Sequence, residues 1–266
     1  MKLYYLVLIC AFFAKAAFAG SQQPQTAQLP AKAISIFAKK VEKYAASQGA
    51  RAFILARRGQ AKSELPKGIH YTHSALAIYS NITLENGEIA KGYAIYNLYQ
   101  DSERKDKSAL VTDYPVDFFW AVPELTTGII IPSYELQTRL VEAIEQGNHS
   151  LLHNPNYSLI SNPFSNEYQN CNEHLLDVVN SAIYSTTEQA QIKANTKAYF
   201  KPQRVHMSRA KLALGSFFTE GVTTKDHGRK IFTTTFTSIA RYLSSYGLTQ
   251  SVVEINAHGD VKEMAL

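Results

Sequence analysis

Apolar residues at helical spacing and apolar runs at strand spacing follow one another along this chain. Their order predicts a mixed α+β fold. Over residues 30–48, Ile34, Ile36, Phe37, Val41 and Tyr44 recur on one side of a helix that ends at Gly49. Residues 51–56 (Arg-Ala-Phe-Ile-Leu-Ala) form a short buried strand, closed by Arg57-Arg58-Gly59. The two arginines are expected as solvated loop ends. Residues 60–68 are a polar loop. Residues 71–79 alternate as a strand, with His73, Ala75, Ala77 and Tyr79 on one face and Thr72, Ser74, Leu76 and Ile78 on the other. After a turn over 81–88 with Asn86-Gly87, residues 91–100 form the partner strand. Tyr93, Ile95, Asn97 and Tyr99 share one of its faces. The two strands read as an antiparallel hairpin.

Residues 101–107 are a charged loop. Strand-like portions over 108–122 are broken by Pro115 and carry the aromatic cluster Phe118-Phe119-Trp120. A short buried strand over 128–131 precedes Pro132-Ser133, which opens a helix over 134–146. Residues 148–165 are loop-like. Helices are predicted from Cys171, over 186–199 and over 232–246. Residues 204–218 are mixed, and a final strand covers 252–255 before a polar tail. No internal repeat is visible.

The stretch Asn170-Cys171-Asn172-Glu173 changes the picture. Asn170 suits an N-cap, and Glu173 three residues on gives a capping-box-like spacing. Leu175, Val178, Val179 and Ala182 follow at helical spacing, so Cys171 lies in the first turn at the edge of the apolar face. A thiol there sits in the positive end of the helix dipole, which favours thiolate. A small buried core residue is the other reading of a free cysteine.

Residues 1–19 read as a secretory signal: Lys2, an apolar core over 3–13, and Ala17-Phe18-Ala19 before Gly20. The core is too short to span a bilayer permanently. A periplasmic or secreted protein is therefore expected, with a linker over 20–29 and one α+β domain over 30–266. Of the two cysteines, Cys10 leaves with the signal, so Cys171 stands alone in an oxidising compartment. The formal charge of +5 falls to +3 once Lys2 and Lys15 are removed. No basic run points to nucleic acid.

A cysteine hydrolase needs a thiolate, an imidazole that takes and returns a proton, and a group that orients the imidazole. Cys171, His73 and Asn97 can supply these. His73 lies beside two alanines, which leave room for a helix carrying the nucleophile. His70 competes with it but precedes the strand. His174, beside the cap, reads as solvated or structural. The spacings His70/His73 and His149/His153 come without a ligand cluster of the kind zinc takes, so no metal or other cofactor is expected. Asp226-His227 reads as turn hydrogen bonding.

The segment over 71–79 followed far downstream by Asn170-Cys171-Asn172-Glu173 resembles the circularly permuted papain-like hydrolases, relatives of NlpC-type cell-wall peptidases. The chain also resembles a secreted bacterial family, domain of unknown function 2145, with 163–170 contributing to the likeness. The resemblance implies a permuted papain-like fold, with an antiparallel sheet carrying His73 packed on the Cys171 helix. It implies a cysteine hydrolase of amide or thioester bonds, acting on cell-wall peptide or acyl substrates. The segment from about 186 is then a family-specific cover. The alternative is a non-catalytic periplasmic binding protein on the same fold. The hydrolase reading places the sulfur roughly 3 to 5 Å from an imidazole nitrogen of His73. It also expects a thiol pKa depressed from about 8.5 into the roughly 3.5 to 7.5 range.

Overall fold

The computed structural model describes residues 26–84, 86–206 and 221–266. The predicted signal, the start of the linker and most of 204–218 lie outside the described residues. Among the described residues the fold is mixed α+β, built on one large antiparallel sheet. Its strands are β1 (Ala52–Arg57), β2 (His73–Thr83), β3 (Ile89–Gln100), β4 (Ser108–Asp113), β5 (Thr127–Pro132), β8 (Thr249–Ile255) and β9 (Val261–Glu263). They lie in the order β4-β3-β2-β1-β5-β8-β9. A separate two-stranded ribbon pairs β6 (Gln203–Arg204) with β7 (Phe232–Thr233). The helices are α1 (Ala31–Ser47), α2 (Pro115–Phe118), α3 (Tyr134–Glu145), α4 (Asn148–Leu151), α5 (Cys171–Tyr184), α6 (Gln189–Tyr199) and α7 (Phe236–Ser245).

The sheet is covered on both faces, and period-two alternation sends each strand's side chains to opposite layers. On one face Phe53, Leu55, Ala75, Ala77, Ile95 and Ile129 pack against Ile34, Phe37 and Val41 of α1 and against Phe118 and Phe119. On the other, Ile54, Leu76, Ile78 and Ile130 pack against Leu140 of α3, Leu175, Val178 and Val179 of α5, and Ile239 and Leu243 of α7. β1 is buried along its whole length because strands flank it and helices cover both its faces. The β5–β8 side is tight as well. A Cβ on Gly128 would meet the rings of Phe236 and Tyr71 at under 3 Å.

Several expectations are corrected. The face of Ala75 and Ala77 is filled by α1, so α5 packs on the opposite, Leu76 face. Arg57 and Arg58 are buried: Arg57 continues the inward phase of Phe53 and Leu55, and Arg58 is bridged to Glu124 and Glu254. The predicted helix over 232–246 starts only at Phe236, because Thr235 caps it and Phe232–Thr233 pairs as a strand. The C-terminal segment supplies β8 and β9 to the main sheet, besides the helices α6 and α7.

Every residue of α5 from Cys171 to Ala182 is buried, polar ones included. Its acids are therefore partnered. Lys193 Nζ of α6 lies 2.7 Å from Glu173 Oε1 and 3.0 Å from both Asp177 oxygens. Gln169 Nε2 donates to Asp177 Oδ2 at 2.9 Å and to the Leu152 carbonyl at 3.0 Å. One buried ammonium thus serves two carboxylates and the loop that leads into the helix. Burial and the Asp177 carboxylate push Glu173 up to about 8, against the pull of Lys193.

Lys193→Met should therefore cost about 3 to 5 kcal/mol, since two buried carboxylates lose their cation. Glu173 already stands at about 8, above its unfolded value, and it loses the cation that holds it down, so its folded-state pKa rises further. The deficit therefore grows as the pH climbs through about 8. Urea unfolding at pH 6 and pH 9 measures this; a loss no larger at pH 9 than at pH 6 would contradict it.

Candidate active site

Cys171 is the first residue of α5. Asn170 caps the helix: its Oδ1 accepts the Glu173 N–H at 2.9 Å, and its Nδ2 donates to the Leu159 carbonyl at 3.0 Å. The cap satisfies the third N–H of the helix. The first two, on Cys171 and Asn172, pull the Cys171 thiol pKa down.

A third backbone N–H at the sulfur comes from Ser74 in β2. In β2 the Tyr79 N–H donates to the Arg51 carbonyl at 2.8 Å, so odd residues face β1 and even residues face β3. The β2–β3 ladder runs from Thr83↔Ile89 only to Leu76↔Tyr96. Beyond that rung the Ser74 N–H, directed toward β3, meets the sulfur. Cys171 also packs on Leu98 of β3 and on Tyr157. The sulfur therefore enters the split between β2 and β3 from the α5 face.

His73 and Asn97 stand on the other face of the same split. His73 Nε2 lies 2.9 Å from Asn97 Oδ1. Asn97 Nδ2 donates to the Ile95 carbonyl at 3.1 Å and to Asp113 Oδ2 at 3.3 Å. Both partners are acceptors, which fixes the amide orientation. Oδ1 then requires a proton on His73 Nε2, and the neutral ring keeps its lone pair on Nδ1. That nitrogen is buried and takes no hydrogen bond among the described residues. Tyr99 stacks on the His73 ring with centroids 4.8 Å apart and donates to Asp113 Oδ2 at 2.6 Å. The Arg57 guanidinium lies over the rings of Tyr99 and Phe118.

The structure brings His73 and Asn97 into direct contact. No hydrogen bond joins either of them to the Cys171 sulfur among the described residues. His73 stands on the α1 face of the sheet and Cys171 comes from the α5 face, against the expected approach of the two on one face; the N–H of Ser74, which follows His73, pulls the thiol pKa down. Through the split, charge on Cys171 also raises the pKa of Tyr99.

Electrostatics run against the expected thiolate. Burial pushes the Cys171 thiol up to about 11, although the N–H groups of Ser74, Asn172 and Cys171 and the charge of Arg57 all pull it down. Burial, then Arg57, hold His73 well below the ordinary imidazole value, with the Asn97 bond acting weakly the other way. Thiol and imidazole are both neutral at rest. Dipole arguments give less than one pKa unit here, and complete desolvation of the sulfur outweighs them.

Sequence reasoning missed three parts of the site. Asp113 ends β4 as its buried last residue, although Ala109 in the same phase is exposed, and it anchors Asn97 and Tyr99. Arg57 was legible from its phase with the buried Phe53 and Leu55. Asn172, beside the cysteine, gave no signal beyond its position. His174 is buried and not solvated: its Nε2 lies 2.9 Å from His149 Nδ1. Both rings line a cavity of about 10 Å³ beside Cys171, Ser74 and Leu98, room for about one water. Among the described residues no three metal-ligating side chains converge. No helix is long and apolar enough to cross a membrane. Asp226 and His227 are buried where they pin the loop at Asn162: Asp226 Oδ2 accepts the Asn162 N–H at 2.8 Å, and His227 Nε2 lies 2.7 Å from the Ile160 carbonyl oxygen.

The neutral pair predicts a specific pH profile. Alkylation of Cys171 by a small reagent should keep rising above pH 9, with its inflection near 11. A plateau below pH 8 would mean a thiolate–imidazolium pair and contradict the neutral one.

No curated protein and no solved structure matches the chain. A family model described as an uncharacterized protein conserved in bacteria (DUF2145) matches residues 44–243. The match takes in β1 to β5, both strands of the split, and all of α5. With most of its length and its whole candidate site inside that match, the chain belongs to the DUF2145 family.

Proposed function

We propose that this protein is an exported cysteine hydrolase of amide or thioester bonds, on a permuted papain-like fold akin to the NlpC-type peptidases. Cys171 is the nucleophile, His73 the base, and Asn97 the group that orients the imidazole. The observation that carries this reading is the His73 tautomer. Asn97 holds the proton on Nε2, and Nδ1 is left unprotonated, buried and without a hydrogen bond among the described residues. Asp113 acts one bond further back by fixing the amide of Asn97.

The chemistry starts from a neutral pair. As Sγ attacks the substrate carbonyl carbon, the thiol proton passes to His73 Nδ1 and the carbonyl electron pair moves to oxygen. Collapse re-forms the carbonyl and expels the amine or thiol, which takes the proton from Nδ1. Water then adds to the acyl-enzyme with Nδ1 as base. The acid departs and the Cys171 thiol is restored. Cell-wall peptides and acyl thioesters are the substrate classes to be tested.

A second reading, a non-catalytic binding protein on the same fold, is favoured by the closed site. Cys171 is only 3 % exposed, under Tyr157 and Leu98.

Turnover of peptidoglycan fragments and acyl thioesters decides between them. The parent protein should cleave one class, and His73→Ala should lower kcat/KM about 10² to 10⁴-fold. Asp113→Asn should cost less, because it leaves the imidazole in place. Full activity in His73→Ala would remove the hydrolase reading. No turnover, together with a ligand-dependent rise in melting temperature, would favour the binding protein.

Export is checked separately. Protein recovered from the periplasm or medium should begin near Gly20. Intact Met1 in a membrane fraction would contradict this.

A further inference from the structure

We infer that Asn172 is a catalytic residue, whose side-chain amide binds the oxygen that becomes negative when Cys171 attacks a carbonyl; this rests on the hydrolase reading above. Asn172 is the second residue of α5 and only 7 % exposed. Its Nδ2 lies 3.7 Å from the Cys171 sulfur. Its Oδ1 is buried and takes no hydrogen bond among the described residues. The amide is held with its donor end toward the reacting atom.

Two more donors act on the same sulfur. The backbone N–H groups of Cys171 and Asn172, at the uncapped start of α5, pull the thiol pKa down. They are free to do so because Asn170 caps the third N–H and not the first two. The positive end of the α5 dipole adds to them. In a tetrahedral intermediate the oxygen lies roughly 3 Å from both the sulfur and its donors. A donor already 3.7 Å from the sulfur needs only a small shift to reach that oxygen.

The charge follows the same course. At rest the donors meet a neutral thiol, to which they bind weakly. During attack the S–C bond forms, the thiol proton goes to His73 Nδ1, and the carbonyl electron pair becomes a full negative charge on oxygen. The donors therefore bind the transition state much more strongly than the ground state, which is the condition for catalysis.

The test compares two reactions of the same sulfur. Acylation by p-nitrophenyl acetate passes through an oxyanion, and alkylation by iodoacetamide does not. In Asn172→Ala the acylation rate should fall about 10²-fold or more, with KM unchanged. Alkylation should stay within about threefold, which also shows that the site remains folded. Asn172→Leu keeps the bulk and removes the donor without adding a charge, and it should lose acylation equally. If the parent is acylated and both variants match it, the assignment to Asn172 fails and the hydrolase reading stands. If acylation and alkylation fall together, Asn172 acts on the thiol and not on the oxyanion, and the assignment fails. If the parent protein is not acylated at all, the hydrolase reading and this assignment fail together.

Discussion

Two backbone patterns are unfinished at one point in this fold, and a single sulfur completes both. The β2–β3 ladder stops at Leu76↔Tyr96, which leaves the Ser74 N–H directed into a gap. Helix α5 begins at the same place with its first two N–H groups uncapped. A buried N–H without a partner costs about 1 to 3 kcal/mol. All three N–H groups pull the pKa of the Cys171 thiol down. The position of α5 is held by the Lys193 ammonium under Glu173 and Asp177 and by the Gln169 amide. The split itself is framed on its far side by the His73–Asn97–Asp113 chain.

The sheet divides the chemistry between its two faces. Arg57, His73, Tyr99, Asn97 and Asp113 stand on the α1 side, while Cys171, His149 and His174 come from the α5 side. Only at the splayed end of β2 does the backbone let one side reach the other. This arrangement also explains the electrostatics. Helices close both faces, so desolvation is the largest effect on both Cys171 and His73: thiol up, imidazole down.

The residues legible in the sequence were those whose role depends on local pattern. The N-cap at Asn170, the amphipathic α1 and the hairpin alternation that pairs His73 with Asn97 all follow from spacing. Which face α5 would choose did not follow, because Ala75 and Ala77 offer room to either of two helices and only the packing of Phe37 and Phe118 settles it. The burial of Arg57 was visible as strand phase, yet charge at a strand end reads more simply as solvation, and the phase of Asp113, shared with the exposed Ala109, gave no sign of its burial. The thiol pKa depended on total desolvation, a tertiary quantity that no window of sequence carries.

Oxidants react with thiolate far faster than with thiol. A sulfur whose pKa stands near 11 spends almost all its time protonated at neutral pH. It is also almost wholly enclosed, with no second cysteine among the described residues to form a disulfide with it. The burial that makes Cys171 a poor nucleophile at rest therefore gives it chemical durability, a shelf life in peroxide that an exposed ion pair would lack.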